Sequence, residues 1–457
     1  DYIDRKIARE FSLKEFLKHS EDYTGPKKIL TLHEAINGLK GFIDPLNMRT
    51  SAGYPFVLEK KSNSIGKTFL FTPLEDDPDG RPQYEATDRL KNCVNEILNV
   101  IEKEGWNVHN YYMDWLKDER RKIAKIRAGQ TRLFNIHNCA WLIVMRMYYG
   151  AVLKAYEYAG IHNGSTLGIN MHGADVTKLV NYLRTVGDNF WDLDVEAFDS
   201  TVGFDEIFDG LYVLKGWMKA NMNLSEKDER MLAIIGDSYS WRIHIIGNVV
   251  YSVFIGIPSG WLLTALLDTE VNKQRRLKTW RILMKEGGFN HLVPLSKKQA
   301  LARDVGNGDD IVGAVHDSVK SLFNPINIAA ILHRYGIKGT PPTKEEGALV
   351  GGFRNWNEVT YLKCKFAFHE RYAPFYVAKM DTNTVTELTN WIRQSPDHME
   401  MLRSNIDDME RFLYTHGEKE YLRILCEVEK AMKNTGNHYQ PTSFEELDDQ
   451  WKNDHGL

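Results

Sequence analysis

The sequence predicts an α+β chain that ends in an all-helical lobe, and three observations carry this. At 457 residues the chain exceeds what one hydrophobic core usually organises, so two or three lobes follow. In its middle, "ARDVGNGDDIVGAV" (302–315) and "WRIHIIGNVVYSVFIGIP" (241–258) set Asn-Gly and Gly-Asn between apolar runs, the pattern of β-hairpins. Beyond about residue 384 the apolar residues recur only at helical spacing.

Taken in order, residues 1 to about 150 alternate helical patterns with Gly/Pro loops, and "EDDPDGRPQ" (75–83) reads as an acidic surface turn. Segment 141–158 is helical, "NFWDLDV" (189–195) alternates like a strand, and 204–220 is an amphipathic helix. After Pro258-Ser259-Gly260 a long helix runs through "WLLTALLDTEVNKQRRLKTW". Short strands flank Asn307-Gly308, whose two residues are expected at the centre of the turn, and a helix follows at about 324–335. In the C-terminal lobe Leu388, Trp391 and Ile392 suit one helical face. Met399, Leu402, Ile406, Met409 and Leu413 suit a second, and Leu422, Leu425, Cys426, Val428 and Met432 a third.

Composition excludes several classes. Apolar residues at 43% and charged residues at 26% are ordinary for a globular chain. A net charge of −4 advertises no polyanionic partner, so a nucleic-acid site would need local clustering. Four scattered cysteines, without CxxC, argue against a zinc ribbon or a disulfide framework and fit a reducing compartment. No apolar run reaches the length of a membrane span, and no signal peptide is visible. Asp1 in place of Met suggests a processed or truncated chain.

Two adjacent acids, Asp309 and Asp310, follow the Asn-Gly pair. Like charges about 4 Å apart repel by roughly 4 kcal/mol at an effective dielectric of 20. Water, a proton, a basic partner or a divalent cation must offset that. A bare Gly-Asp-Asp is most simply a solvated turn, so the rest of the chain decides. In "WDLDVEAFDS" (191–200), Asp192 and Asp194 share one strand face and Asp199 follows five residues after Asp194. Carboxylates at a strand end and at a neighbouring hairpin tip could clamp two hard cations, Mg²⁺ or Mn²⁺, an arrangement suited to displacement at phosphorus. In "GIPSGWLLTALLDTEVNK" (256–273), Gly260, Thr264, Asp268 and Asn272 recur every fourth residue as a polar stripe on an apolar helix. Such a stripe could meet a sugar–phosphate backbone or face solvent. Between Lys117 and Arg132 seven basic residues stand against two acids, enough to surround a triphosphate. "TRLFNI" after Gly129 reads as a strand returning into the body.

These residues resemble, in order, the RNA-dependent RNA polymerases of picornavirus-like positive-strand RNA viruses. "TSAGYPF" (50–56) resembles the loop that guides template, "KDERR…K…GQTR" the nucleotide-entry motif, and "DLDVEAFD", "GIPSG…T…D" and "GNGDD" the three central motifs. "YGIKGTPPTKE" (335–345) and "TYLKCKF" (360–366) resemble the two that follow. The resemblance implies a right-hand fold: fingers (1–151), palm (152–203), a fingers insertion (204–255), palm again (256–375) and a helical thumb (376–457). It makes Asp194 and Asp309 metal ligands, with Asp310 auxiliary, for two Mg²⁺ or Mn²⁺ ions. Lys117, Lys125 and Arg132 would hold the triphosphate. Asp199, aided by Ser259, Thr264 and Asp268, would sense the ribose. Lys344 would protonate departing pyrophosphate, Lys363 would touch the primer, and Ser51, Gly53, Tyr54 and Pro55 the template. RNA template and primer, NTPs, a viral protein primer and other replication proteins are the implied partners. A membrane-associated replication complex in host cytoplasm is the implied setting. Reverse transcription and a catalytically silent RNA-binding role are the alternatives; the ribose-facing residues speak against the first, the intact acids against the second. Two departures stand out: Asp268 replaces the Asn usual in the family, and the segment before "SAGYPF" is short, with no counterpart to the relatives' initial glycine.

Overall fold

The computed structural model describes residues 2–106, 108, 110–119, 121, 123–342, 349–392, 398–436 and 439–457. The chain forms two compact units: 1–167, 197–278 and 307–309 make the first, and 168–196, 279–306 and 310–457 the second.

In the first unit the helix Cys139–Ala159 is buried along most of its length, and Asn138 caps its start by accepting from Ala140 N and Trp141 N. The N-terminal helix Tyr2–His19 lies on the helix Phe204–Asn221. Phe16 stacks on Trp217, while Arg5 and Arg9 both reach the buried Asp209. A four-stranded sheet runs in the order Leu133–His137, Tyr111–Leu116, Arg242–Ile246, Val249–Val253. The first pair is antiparallel, as expected for a strand returning after Gly129, and the last pair is the hairpin at Gly247-Asn248. Its middle pair is parallel, Tyr111 facing Ile243.

The second unit holds a four-stranded antiparallel sheet in the order Gly339–Thr340, Asn189–Val195, Asp310–Val315, Ala302–Asn307. Trp191 faces Gly313, and a Cβ there would lie 2.6 Å from the indole, so glycine is the residue that lets Trp191 pack flat on the neighbouring strand. A smaller sheet follows from Thr360–Tyr361, Cys364–Phe368 and Tyr376–Met380.

Helices His398–Tyr414, Glu418–Asn434 and Phe444–His455 close a core around Ile406, Met409, Leu413, Tyr421, Leu425 and Trp451. The helical character expected of this lobe holds, but two of the expected faces shift. Trp391 and Ile392 are exposed, following a short 3-10 turn at Glu387–Asn390 rather than lying on a continuous helix. Leu422 and Cys426 face outward because Tyr421 and Ile424 take the inner stripe. Among the described residues, no helix is long and apolar enough to cross a membrane.

Candidate active site

The strand Asn189–Val195 pairs with Asp310–Val315 so that Leu193 faces Ile311. One step further along each strand, Asp194 and Asp310 therefore meet at the strand ends. Asp309 sits in the adjoining turn, and carboxylate oxygens of Asp194, Asp309 and Asp310 lie within 4.8 Å of one another. Asp194 is buried, and the other two are half-buried. Three carboxylates at such spacing offer only hard oxygen donors, a set that fits Mg²⁺ or Mn²⁺ and not a soft metal. Asp192, on the same strand face, is committed elsewhere: it accepts from Thr360 N at 2.7 Å and from Arg354 Nη1 at 3.2 Å.

The hairpin turn lies one residue later than its Asn-Gly pair suggests. Strands end at Asn307 and resume at Asp310, so Gly308 and Asp309 form the connection. Only Gly308 has positive φ, at +62°, as in a turn with glycine at the first central position. The helix Thr264–Glu286 holds both backbone groups of Gly308: its N–H donates to Thr269 Oγ1 at 2.9 Å, and its carbonyl accepts from Asn272 Nδ2 at 2.7 Å.

That helix starts at Thr264, so Gly260 lies outside it and the expected four-residue stripe is shortened to Thr264, Asp268 and Asn272. Gly260 has another reason to be glycine. A Cβ there would fall 1.7 Å from the carbonyl oxygen of Asn135. The loop before the helix presses against the strand Leu133–His137, where Asn135 N donates to Ser259 Oγ and Ser259 N donates to Asn135 Oδ1, each at 3.0 Å. The Thr264 hydroxyl donates back to Pro258 O at 2.6 Å.

Asp268 and Asp199 form a hydrogen-bonded acid pair. Burial, then the Asp199 charge, hold the Asp268 carboxyl well above the usual carboxylate range. Asp199 is raised as well, chiefly by desolvation, but its side reaches solvent and the Asp268 hydrogen bond favours its charged form. Both carboxyls are thus pushed toward their protonated forms, the more deeply buried Asp268 more strongly. In the basic segment, Arg132 grips Glu119 through two nitrogens, Arg121 Nε lies 3.0 Å from the same carboxylate, and Lys117 Nζ 3.8 Å. Glu119 holds the Arg132 guanidinium above its ordinary pKa, with smaller pulls from Asp199 and Asp309. Lys125 is exposed on a short helix, Ile123–Arg127.

A family model described as "Viral RNA-dependent RNA polymerase" matches residues 10–433. The chain belongs to the viral RNA-dependent RNA polymerase family. Among relatives, it is 28% identical over 451 residues to the genome polyprotein of Rice tungro spherical virus (strain Vt6), covering 97% of this chain and 13% of the polyprotein. It is 27% identical over 426 residues to the replicase polyprotein of Drosophila C virus (strain EB), covering 88% of this chain and 23% of that one. The chain thus spans less than a quarter of these picorna-like virus polyproteins. A Sicinivirus 3Dpol RNA-dependent RNA polymerase superposes with a TM-score of 0.76 at 21% identity, over 98% of this chain and 86% of that one. The fold is accordingly the right-hand polymerase fold.

The "SAGYPF" loop is tied to the start of the helix Cys139–Ala159. Asn138 Nδ2 donates to Tyr54 O at 2.8 Å, and Cys139 N to Ala52 O at 3.0 Å. Gly53, at φ +68°, packs where a Cβ would meet His137 O at 2.5 Å, and Ser51 Oγ accepts from Gly53 N. Tyr54 stands edge-on to Tyr111, and Pro55 leads into the 3-10 turn Phe56–Glu59. Lys363 is exposed in the tight turn between Tyr361 and Cys364, with Leu362 and Lys363 both at positive φ. Lys344 lies outside the described residues. Reading the sequence missed Thr269, Asn135 and Glu119. Thr269 follows Asp268 directly and could have been suspected from its side chain alone; Asn135 and Glu119 act across strands, which spacing does not reveal.

Proposed function

We propose that this polymerase extends an RNA primer by transferring nucleotides from NTPs to the 3′-hydroxyl, opposite an RNA template, in a two-metal reaction. The observation that carries this reading is the convergence of Asp194, Asp309 and Asp310 to within 4.8 Å in a chain of this family. Those three side chains would hold Mg²⁺ or Mn²⁺, which when bound supplies Lewis-acid stabilisation to the attacking and leaving oxygens. Around them the protein's own groups do the positioning. Lys117, Lys125 and Arg132 bind the triphosphate, Arg132 through its planar fork. Asp199 accepts from the ribose 2′-hydroxyl, and Asp268, whose carboxyl burial and Asp199 push toward its protonated form, offers the donor that an Asn amide would otherwise supply. Ser259 and Thr264 shape the sugar side through the loop they brace.

Lys344 is assigned as the acid for pyrophosphate release, a role that needs hydrogen-bond reach to the leaving group. Lys363 contacts the primer strand, and Ser51 to Pro55 guide the template. Fingers at 1–151 and 204–255, palm at 152–203 and 256–375 and thumb at 376–457 are the proposed divisions. RNA would be held mainly through phosphates and 2′-hydroxyls, making binding salt-sensitive. A viral protein primer, other replication proteins and a membrane-associated complex in host cytoplasm are the proposed setting. Primer extension on an RNA template tests the reading. Asp309→Ala should abolish Mg²⁺-dependent incorporation while RNA binding persists; near-normal incorporation would refute the metal assignment. A preference for dTTP over UTP in the native chain would favour reverse transcription instead.

A further inference from the structure

Asp114 is a buried acid in the middle of a sheet, on the strand Tyr111–Leu116, with no place in the reaction outlined above. A carboxylate there is costly unless its oxygens are fully hydrogen-bonded, and an aliphatic side chain would fill the space without that demand. Its oxygens are well supplied. Asn135 Nδ2 donates at 2.6 Å, His244 Nδ1 lies 2.9 and 3.0 Å from the two oxygens, and the Tyr251 hydroxyl donates as well. His244 Nε2 accepts from Arg242 Nε at 3.4 Å, which leaves Nδ1 as the protonated nitrogen facing the acid. These hydrogen bonds keep Asp114 ionised: burial alone would raise its pKa, yet His244, Tyr251 and Asn135 bring it below the usual carboxylate value.

The consequence falls on Asn135. An amide side chain has one accepting and one donating end, and either could face a neighbour. Because Asp114 accepts only, it claims the Nδ2 end and turns Oδ1 toward the loop before the helix Thr264–Glu286. There Oδ1 accepts from Ser259 N at 3.0 Å, and Ser259 Oγ lies 3.4 Å away. A flipped Asn135 would set a donor against the Ser259 N–H. The adjoining Gly260 rests directly on the Asn135 carbonyl, so the loop has little room to shift along the strand.

We propose that Asp114 is a positioning residue which, by fixing the orientation of the Asn135 amide, seats the Ser259–Gly260 loop and so sets discrimination for the ribose of the incoming nucleotide. This rests on the polymerase reading above, and it adds a residue that touches neither RNA nor nucleotide.

The test is a double-mutant cycle on the full chain with Asp114→Asn and Asn135→Ala, read as the ratio of kcat/KM for UTP over dUTP. Each single variant should lower that ratio about tenfold, the scale of one charge-assisted hydrogen bond, mainly through a higher KM for UTP. The double variant should fall no further, because both act on one contact. Amide hydrogen exchange at Ser259 gives a reading that needs no turnover. Exchange there should quicken about tenfold in Asp114→Asn while amides in the helix Cys139–Ala159 keep their protection. The inference is overturned if Asp114→Asn leaves both the ratio and Ser259 exchange within twofold of native, or if the two substitutions multiply. A native chain that fails to incorporate UTP would sink the polymerase reading, and Ser259 exchange would still decide the role of Asp114.

Discussion

Replacing Gly260 by Ala asks whether the loop before the long helix is truly seated on its strand. The added methyl would fall 1.7 Å from Asn135 O and 2.9 Å from Asn135 C, both backbone atoms. Gly260 is not among the glycines at positive φ, so alanine meets no conformational penalty and the clash acts alone. Relief requires the loop to lift by about 1.5 Å or more, since carbon–oxygen contacts closer than about 3.2 Å are repulsive. Lifting it breaks the two 3.0 Å bonds between Ser259 and Asn135, each contributing about 1 kcal/mol. Overpacking adds about 1–3 kcal/mol, for a total near 3–5 kcal/mol by the same two principles. Denaturant unfolding and primer extension measure the outcome, with Gly352→Ala as control, since nothing lies within 4 Å of a Cβ at Gly352. Gly260→Ala should unfold at clearly lower denaturant and incorporate UTP poorly. An unfolding midpoint and incorporation rate matching the control would show that the loop is not pressed against Asn135.

Asp268→Asn should keep incorporation near native at neutral pH, because an amide replaces a carboxyl that burial and Asp199 push toward its protonated form. Its folded pKa is raised, so the native protein binds this proton more tightly than the unfolded chain. That contribution is complete below about pH 4, the unfolded value, and is lost as pH rises toward the folded pKa. Unfolding curves between pH 5 and 8 should therefore slope downward less for the variant; an unchanged slope would place the proton elsewhere. Glu119→Gln removes the anion that Arg132, Arg121 and Lys117 share. KM for NTP should fall about threefold, the scale of one partly exposed ion pair. A higher KM would mean that Glu119 aligns these cations rather than competing for them.

Much of the site was legible because its chemistry repeats along the chain. Strand alternation placed Asp194, and a glycine-bearing turn placed Asp309 and Asp310 beside each other. Register within the turn was not legible. An Asn-Gly pair favours a turn centred on itself, but the helix bonds to Gly308 draw the connection one residue on. Gly260 looked like part of a helical stripe because period four is all that sequence shows; the strand it touches begins 127 residues earlier, at Leu133. In the helical lobe, spacing identified the helices but not their exact phase. Leu422 and Tyr421 are neighbours in sequence, and only packing decided which turned inward.

The helix Thr264–Glu286 carries Asp268 on one turn and, through Thr269 and Asn272, clasps the glycine beside Asp309. A single helix thus links Asp268, proposed above to meet the ribose, to the turn that carries Asp309, proposed above as a metal ligand. On that proposal, tilting or sliding the helix would disturb both at once and so couple accuracy to speed. Variants selected for a changed copying error rate should, for that reason, cluster along this helix and arrive with an altered elongation rate.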